Sequence, residues 1–340
     1  MQRTRRSPVV HSCAVSLLLA AVSGTACAPD SSAPASTMNG ATQDAGSVTM
    51  GLATTVEADI YPCGRPAGVG TISDAMGSTW IVPADTKFAD QGFPTASDLY
   101  NPCTKFLPEN VATALAALRA EDIVTVDADG EVITAFVFAD NYFELYINGV
   151  PVGKDAVPYT EFNSSSLRFR VKRPFVVALR AVDWETHLGL GSEPFIGGEY
   201  DPGDAGIVAV FRDASGRSIA TTNASWKVQS YYISPLQDFN CVSQKGSLRD
   251  SSTCETTGTN DGSHFYALHW RLPDGWYERS FDDSAWLGAA TYTNERVGVG
   301  NKPAFTKFVA IFDDPALDAD FIWTSNLILD NEILARYTVP

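Results

Sequence analysis

The chain has 340 residues, 45% of them apolar and 19% charged, and a formal net charge of −16. So much excess acid argues against nucleic acid and against an anionic bilayer surface as partners. The length is enough for one large domain or two modest ones.

Residues 1–27 read as an export signal. Arg3, Arg5 and Arg6 precede an apolar run from Ala14 to Val22, which is too short to span a bilayer as a mature helix. The run ends in Gly24-Thr25-Ala26-Cys27, which resembles a bacterial lipobox, with Gly24 where a leucine is usual. That resemblance implies lipidation at Cys27 and an outer-membrane or cell-surface lipoprotein, touching the membrane only through its lipid. Plain cleavage at the same place gives a secreted protein. Residues 28–57 are mostly Ala, Ser, Thr, Gly and Pro, with no aromatic and no Lys or Arg, and are expected to form a disordered tether.

Four cysteines remain past Cys27, an even number that suits disulfides in an oxidising compartment. They allow three pairings. Cys63–Cys103 with Cys241–Cys254 is preferred because each pair closes a polar, loop-like segment. Residues 58–130 carry little strand signal. A helix is expected from Pro108 to about Ala120, with Val111, Leu115 and Leu118 on one face.

From residue 131 onward, short strands dominate. Val132–Phe138 is apolar almost throughout, as a strand covered on both faces would be. Phe143, Leu145 and Ile147 alternate with Tyr142, Glu144 and Tyr146. Asn148-Gly149 then offers the two positive-φ residues of a type I′ hairpin turn. If the first set faces the core, the tyrosine face needs cover, and residues 58–130 are expected to supply it. Further strands are expected at Leu167–Val171, Phe175–Val182, Ile207–Phe211, Trp226–Ile233, Phe305–Phe312 and Ile333–Val339. Residues 238–263 read as a long polar loop. The predicted fold is mainly β: one antiparallel sandwich over 131–340, with a small, mostly irregular N-terminal region containing one helix.

Two stretches carry a family resemblance. "ADNYFELYINGVPVG" (139–153) and "GWYERSFDDSAWLGA" (275–289), the latter followed by "FIWTSNLILDNEILARYTV", are similar to segments of the galactose-binding-like jelly roll. That sandwich sits beside catalytic domains in many β-galactosidases and α-L-rhamnosidases. In those relatives the "FDDSxW" stretch precedes the hairpin, and here it follows. The resemblance therefore implies a circularly permuted sandwich, with Ile333–Val339 in the same sheet as Val132–Ile147.

No catalytic constellation stands out. Asp282-Asp283 and Asp313-Asp314 are adjacent acids that point apart in extended chain, unlike a glycosidase pair. No GxSxG elbow occurs. His264 and His269 lack metal spacing, and no cofactor is called for. A copper or zinc site at the histidines is the minor reading, and a structural calcium ion has room at Asp127-Ala128-Asp129-Gly130-Glu131, where an Asp-Gly turn is the simpler reading. Sugars are held by aromatic faces flanked by carboxylates, and Asp183-Trp184-Glu185, with Trp226 and Tyr231, offers that chemistry. The resemblance implies a glycan- or other surface-ligand-binding protein without catalytic activity. An extracellular glycosidase or a purely structural module stands as the alternative.

Overall fold

The hairpin turn forms as its residue types require: Asn148 has φ 49° and Gly149 φ 89°. It joins strands Tyr142–Ile147 and Val150–Lys154. The Asn148 side-chain oxygen accepts the Val176 N–H at 2.9 Å, tying the turn to the neighbouring strand. This computed structural model describes residues 46–192, 202–256 and 262–340. The export signal, Cys27 and residues 28–45 of the expected tether lie outside the described residues.

Two eight-stranded sheets make the sandwich. The first runs Ser47–Met50, Tyr266–His269, Lys227–Leu236, Asp330–Val339, Phe175–Val182, Tyr142–Ile147, Val150–Lys154, with Leu287–Gly288 added beside Lys227–Leu236. The second runs Ala290–Tyr292, Phe321–Trp323, Gly206–Arg212, Glu131–Asp140, Ser164–Val171, Ser97–Tyr100. Ser218–Thr221 and Ile123–Thr125 extend this sheet, the latter as a parallel neighbour of Ser164–Val171. The other pairings within the two sheets are antiparallel.

Ile333–Val339 does share a sheet with the hairpin, through Phe175–Val182. Val132–Ile147, however, is divided: the chain changes sheets between Asp140 and Tyr142, so Glu131–Asp140 belongs to the opposite layer. Phe143, Leu145 and Ile147 join Val177, Leu179, Ile333 and Ala335 in the main core. Residues 135–140 are buried at every position, the doubly covered strand that the apolar run demanded.

The outer cover of that strand corrects one expectation. Residues 305–312 form helical turns, Pro303–Thr306 and Val309–Phe312, rather than a strand. Their buried positions, Phe305, Phe308, Ile311 and Phe312, recur every three or four residues and start behind a helix-favouring Pro303. Phe305 and Phe312 pack on Phe138, with ring centroids 5.6 and 6.3 Å away.

The N-terminal region departs from expectation as well. The tether assigned to 28–57 gives way to strand at Ser47–Met50, which pairs with Tyr266–His269, and at Thr54–Glu57, which pairs with Val69–Ser73. Small and polar residues can take part in a ladder through backbone bonds alone. The helix is only Val111–Ala116, and it starts there because Asn110 caps it by accepting the Thr113 N–H at 3.0 Å. It packs beside Ser97–Tyr100 and does not cover the tyrosine face. Within the long polar loop, Ser243–Lys245 and Leu248–Asp250 form a small hairpin.

Both expected disulfides are present, Cys63–Cys103 and Cys241–Cys254, with Cα–Cα distances of 5.8 and 5.2 Å, which fits an oxidising compartment. The acids considered for calcium are engaged otherwise. Asp127 accepts the Lys172 N–H at 2.9 Å, Asp129 pairs with Lys172 at 2.5 Å and Glu131 with Arg173 at 2.5 Å. Among the described residues, no cluster of three or more His, Cys, Asp or Glu is placed to hold a metal ion.

Asp155 carries a pH signature. It is fully buried, and burial pushes its pKa up to about 7, although its Oδ1 accepts Val157 N–H at 3.0 Å and Asn163 Nδ2 at 2.7 Å. An unfolded aspartate titrates near ~3.9, so between about pH 4 and 7 the folded chain holds a proton that the unfolded chain has released. The contribution of Asp155 to stability is therefore largest below pH 4 and falls as pH rises to 7. His269 acts in the opposite sense, since burial depresses its pKa to about 3. Asp155→Asn, whose amide oxygen can accept both bonds, isolates the first effect. Relative to wild type, the variant should gain stability as pH rises from about 4 to 7 and level off above that in denaturant titrations. A difference that does not change with pH would refute the assignment.

Candidate functional site

The outer face of the first sheet presents Tyr142, Glu144 and Tyr146 from one strand, Arg180 from the next, and Glu332 and Arg336 from the third. Charges in the middle of buried strands need partners of opposite sign or backbone dipoles. Here they hold two covering segments in place.

The first cover is residues 79–93. Arg180 Nη1 donates to the Asp85 carbonyl at 2.6 Å, and Glu144 Oε1 accepts the Lys87 N–H. Lys154 Nζ donates to the carbonyls of Lys87, Phe88 and Asp90 at 2.8, 2.7 and 2.6 Å. Phe88 and Phe93 then meet Tyr142 and Tyr146 edge-on, with centroids 6.0 and 5.2 Å apart. Residues 58–130 thus do cover the tyrosine face, using the strand Thr79–Val82 and the irregular residues that follow it rather than the expected helix.

The second cover is residues 270–286, which contain the "FDDSAW" stretch. Arg336, buried in the last strand, donates Nε to Asp283 at 2.8 Å, and its Nη groups reach the carbonyls of Trp276, Glu278 and Phe281. Trp286 turns inward against Phe281, with centroids 5.6 Å apart.

Between the two covers lies a crevice of about 510 Å³. Its walls are aromatic: Trp80 on one side, Trp270, Trp276 and Tyr277 on the other, with Tyr146 at the base. Tyr146 stacks on Tyr277 at 4.9 Å and meets Trp276 edge-on at 5.2 Å. Trp80 is backed by His269, 5.2 Å away and nearly parallel, and His269 by Tyr232 at 4.8 Å. Thr49 Oγ1 lies 2.8 Å from His269 Nε2. Burial keeps this imidazole neutral, so the stack is an uncharged wall.

The floor is ionic. Arg180 sits between two carboxylates, with Nε 2.8 Å and Nη2 2.7 Å from Glu332 Oε1 and Nη1 3.6 Å from Glu144 Oε2. Burial opposes its charge, but Glu332 and Glu144 outweigh that and hold the guanidinium protonated. Burial raises the pKa of Glu332 despite Arg180 beside it. Exposed charges rim the opening: Asp85, Lys87, Arg271 and Asp274. Ring walls around fixed acceptors and donors, in a recess of this size, suit a small polar ligand with apolar C–H faces.

The residues singled out from sequence lie elsewhere. Asp183 and Glu185 are buried at the end of the sandwich, lining a separate cavity of about 280 Å³ with Asp140, Asn141, Asp204 and Lys302. Trp184, expected beside them as a stacking platform, is completely buried and donates Nε1–H to the Gly68 carbonyl at 3.0 Å. Trp226 is also in the core, stacked on Tyr337 at 5.4 Å with its N–H given to the Thr221 carbonyl at 2.8 Å. Tyr231 is covered by Arg249, 4.5 Å from its ring. None of the three rings presents a face to solvent: Trp184 and Trp226 lie just beyond the ends of covered strands and turn into the core, and Tyr231 sits within one. One cue pointed to the crevice instead. Arg180 is a lone charge within an eight-residue apolar strand, and it required acidic partners on the neighbouring strands.

Comparison of the chain with family models, curated proteins and solved structures found no match.

Proposed function

We propose that this is an exported, surface-tethered carbohydrate-binding protein that holds a saccharide in the aromatic crevice without cleaving it. The observation that carries the reading is the pairing of half-buried aromatic walls (Trp80, Tyr277) with an ionic floor in one open recess. C–H faces of a sugar stack on rings while its hydroxyls take the polar groups. Arg180 supports a reading without cleavage. It ties Glu144 and Glu332 to one guanidinium, an arrangement unlike the acid and nucleophile that a glycosidase sets on either side of the bond it cuts.

The resemblance to a galactose-binding-like sandwich in permuted order points the same way. In support of it, the hairpin, the "FDDSAW" stretch and the C-terminal strand pack in one sandwich. The leader ending in Cys27 supplies the surface anchor in this reading, and the two disulfides suit that side of the membrane.

The test is a glycan array followed by a reducing-sugar assay. Binding without turnover is the expected result, and Tyr277→Ala should weaken it at least tenfold while leaving the melting temperature within a few degrees. Turnover would make the protein a glycosidase. Silence in both assays would leave a structural module.

A further inference from the structure

The floor of the crevice contains an acceptor that the fold itself does not satisfy. Glu144 is 1% exposed, and its Oε1 is used by the Lys87 N–H and by the Tyr142 hydroxyl at 3.3 Å. Its Oε2 makes no hydrogen bond, and the nearest Arg180 nitrogen is 3.6 Å away. A buried carboxylate oxygen without a donor is costly to leave so, and in a ligand recess it marks where a donor belongs. Glu332 adds a second acceptor, since Arg180 engages it through Oε1 and leaves Oε2 outside those contacts.

Charge narrows the ligand. Among the groups that line the recess, Lys87, Arg180 and Arg271 face Asp85, Glu144, Asp274 and Glu332, three cations against four carboxylates, while Lys154, opposite Glu144 on the next strand, lies outside the lining with its ammonium on the strap carbonyls. The two rim acids offset the two rim bases, so the extra carboxylate of the lining sits on the floor, within reach of Tyr146 and Trp276. Ring faces next to a carboxylate favour an organic ammonium over a neutral or anionic group, because the ring quadrupole and the carboxylate act in the same direction.

Resting on the saccharide reading above, we infer that the crevice selects amino sugars carrying a free ammonium group, which Glu144 Oε2 and Glu332 Oε2 receive between the aromatic walls. N-acetylation removes both the charge and two of the donors. A neutral hexose offers only hydroxyls, and a uronic acid brings a like charge to the floor.

The experiment is titration calorimetry of the full chain with three probes: a glucosamine tetrasaccharide, its fully N-acetylated form, and cellotetraose. High salt screens the exposed acidic surface. The wild type should bind the free-amine probe at least tenfold more tightly than either of the others. Glu144→Gln and Glu332→Gln should each reduce that preference below threefold. Circular dichroism of both variants checks that they remain folded, and the comparison of probes on the wild type stands without them. Equal affinity for all three probes would overturn the ammonium inference and leave saccharide binding intact. A preference unchanged in both variants would place the ammonium elsewhere and overturn the assignment to these carboxylates. Absence of binding to all three, together with a silent glycan array, would remove the saccharide reading itself.

Discussion

Arg180→Leu is expected to cost about 3–5 kcal/mol of stability, the range for removing one partner from a buried ionic cluster. The side chain is 4% exposed and pairs with both Glu144 and Glu332, at 1% and 9%. It also caps the Asp85 carbonyl at 2.6 Å, so its loss frees one anchor of the 79–93 strap as well. Two like charges would then remain on the sheet face without their common counter-ion. Urea titration would show a midpoint shift at constant slope. Combining Arg180→Leu with Glu144→Gln and Glu332→Gln should recover much of the loss, since the penalty comes mainly from the stranded carboxylates. If the single variant loses less than 1 kcal/mol, the cluster is not what holds the strap.

Phe143→Ala is expected to cost about 3–5 kcal/mol, the usual range for emptying a buried phenylalanine site. Phe143 is fully buried and lies opposite Ala181 on the neighbouring strand, so little side-chain volume is available nearby to refill the space. The damage should be confined to the core between the sheets. Saccharide binding by the fraction that stays folded should be unaffected, because the crevice is on the opposite face of the same strand. Loss of binding without loss of stability would contradict that division of faces.

Most of the sandwich was legible in residue order. Phe175–Val182 was located to the residue, and the hairpin, its turn residues and the inward set Phe143, Leu145 and Ile147 came from period-two alternation and one Asn-Gly pair. Both disulfides came from the polar segments they close. Where a short apolar run could fit either period, the reading failed. Residues 305–312 were taken for a strand although Phe305, Phe308 and Phe312 also match a helical repeat. The short strands at Ser47–Met50 and Thr54–Glu57 left no pattern, because their stability comes from backbone pairing with distant partners.

The candidate site was much less visible. Aromatic residues next to acids, as in Asp183-Trp184-Glu185, looked like a sugar platform, yet a tryptophan beside a covered strand is drawn into the core by the area it buries. The groups that line the crevice come from residues 79–87, 144–146, 180, 270–277 and 332, and no local spacing relates them.

Residue order alone carried matters of local physics: which side chains alternate, where φ must be positive, which cysteine pairing is preferred, and that the Tyr142–Glu144–Tyr146 face needed a cover. Folding decided what that cover was and where it stopped. Beyond the strand Thr79–Val82, which pairs with Val69–Ser73, the straps at 79–93 and 270–286 are irregular. They are fixed by Arg180, Lys154 and Arg336 catching their carbonyls from strands far away in the chain. Such contacts depend on which strands become neighbours in the sheet. The crevice is the gap between two such straps, so its existence and chemistry were set only when the sheet was assembled.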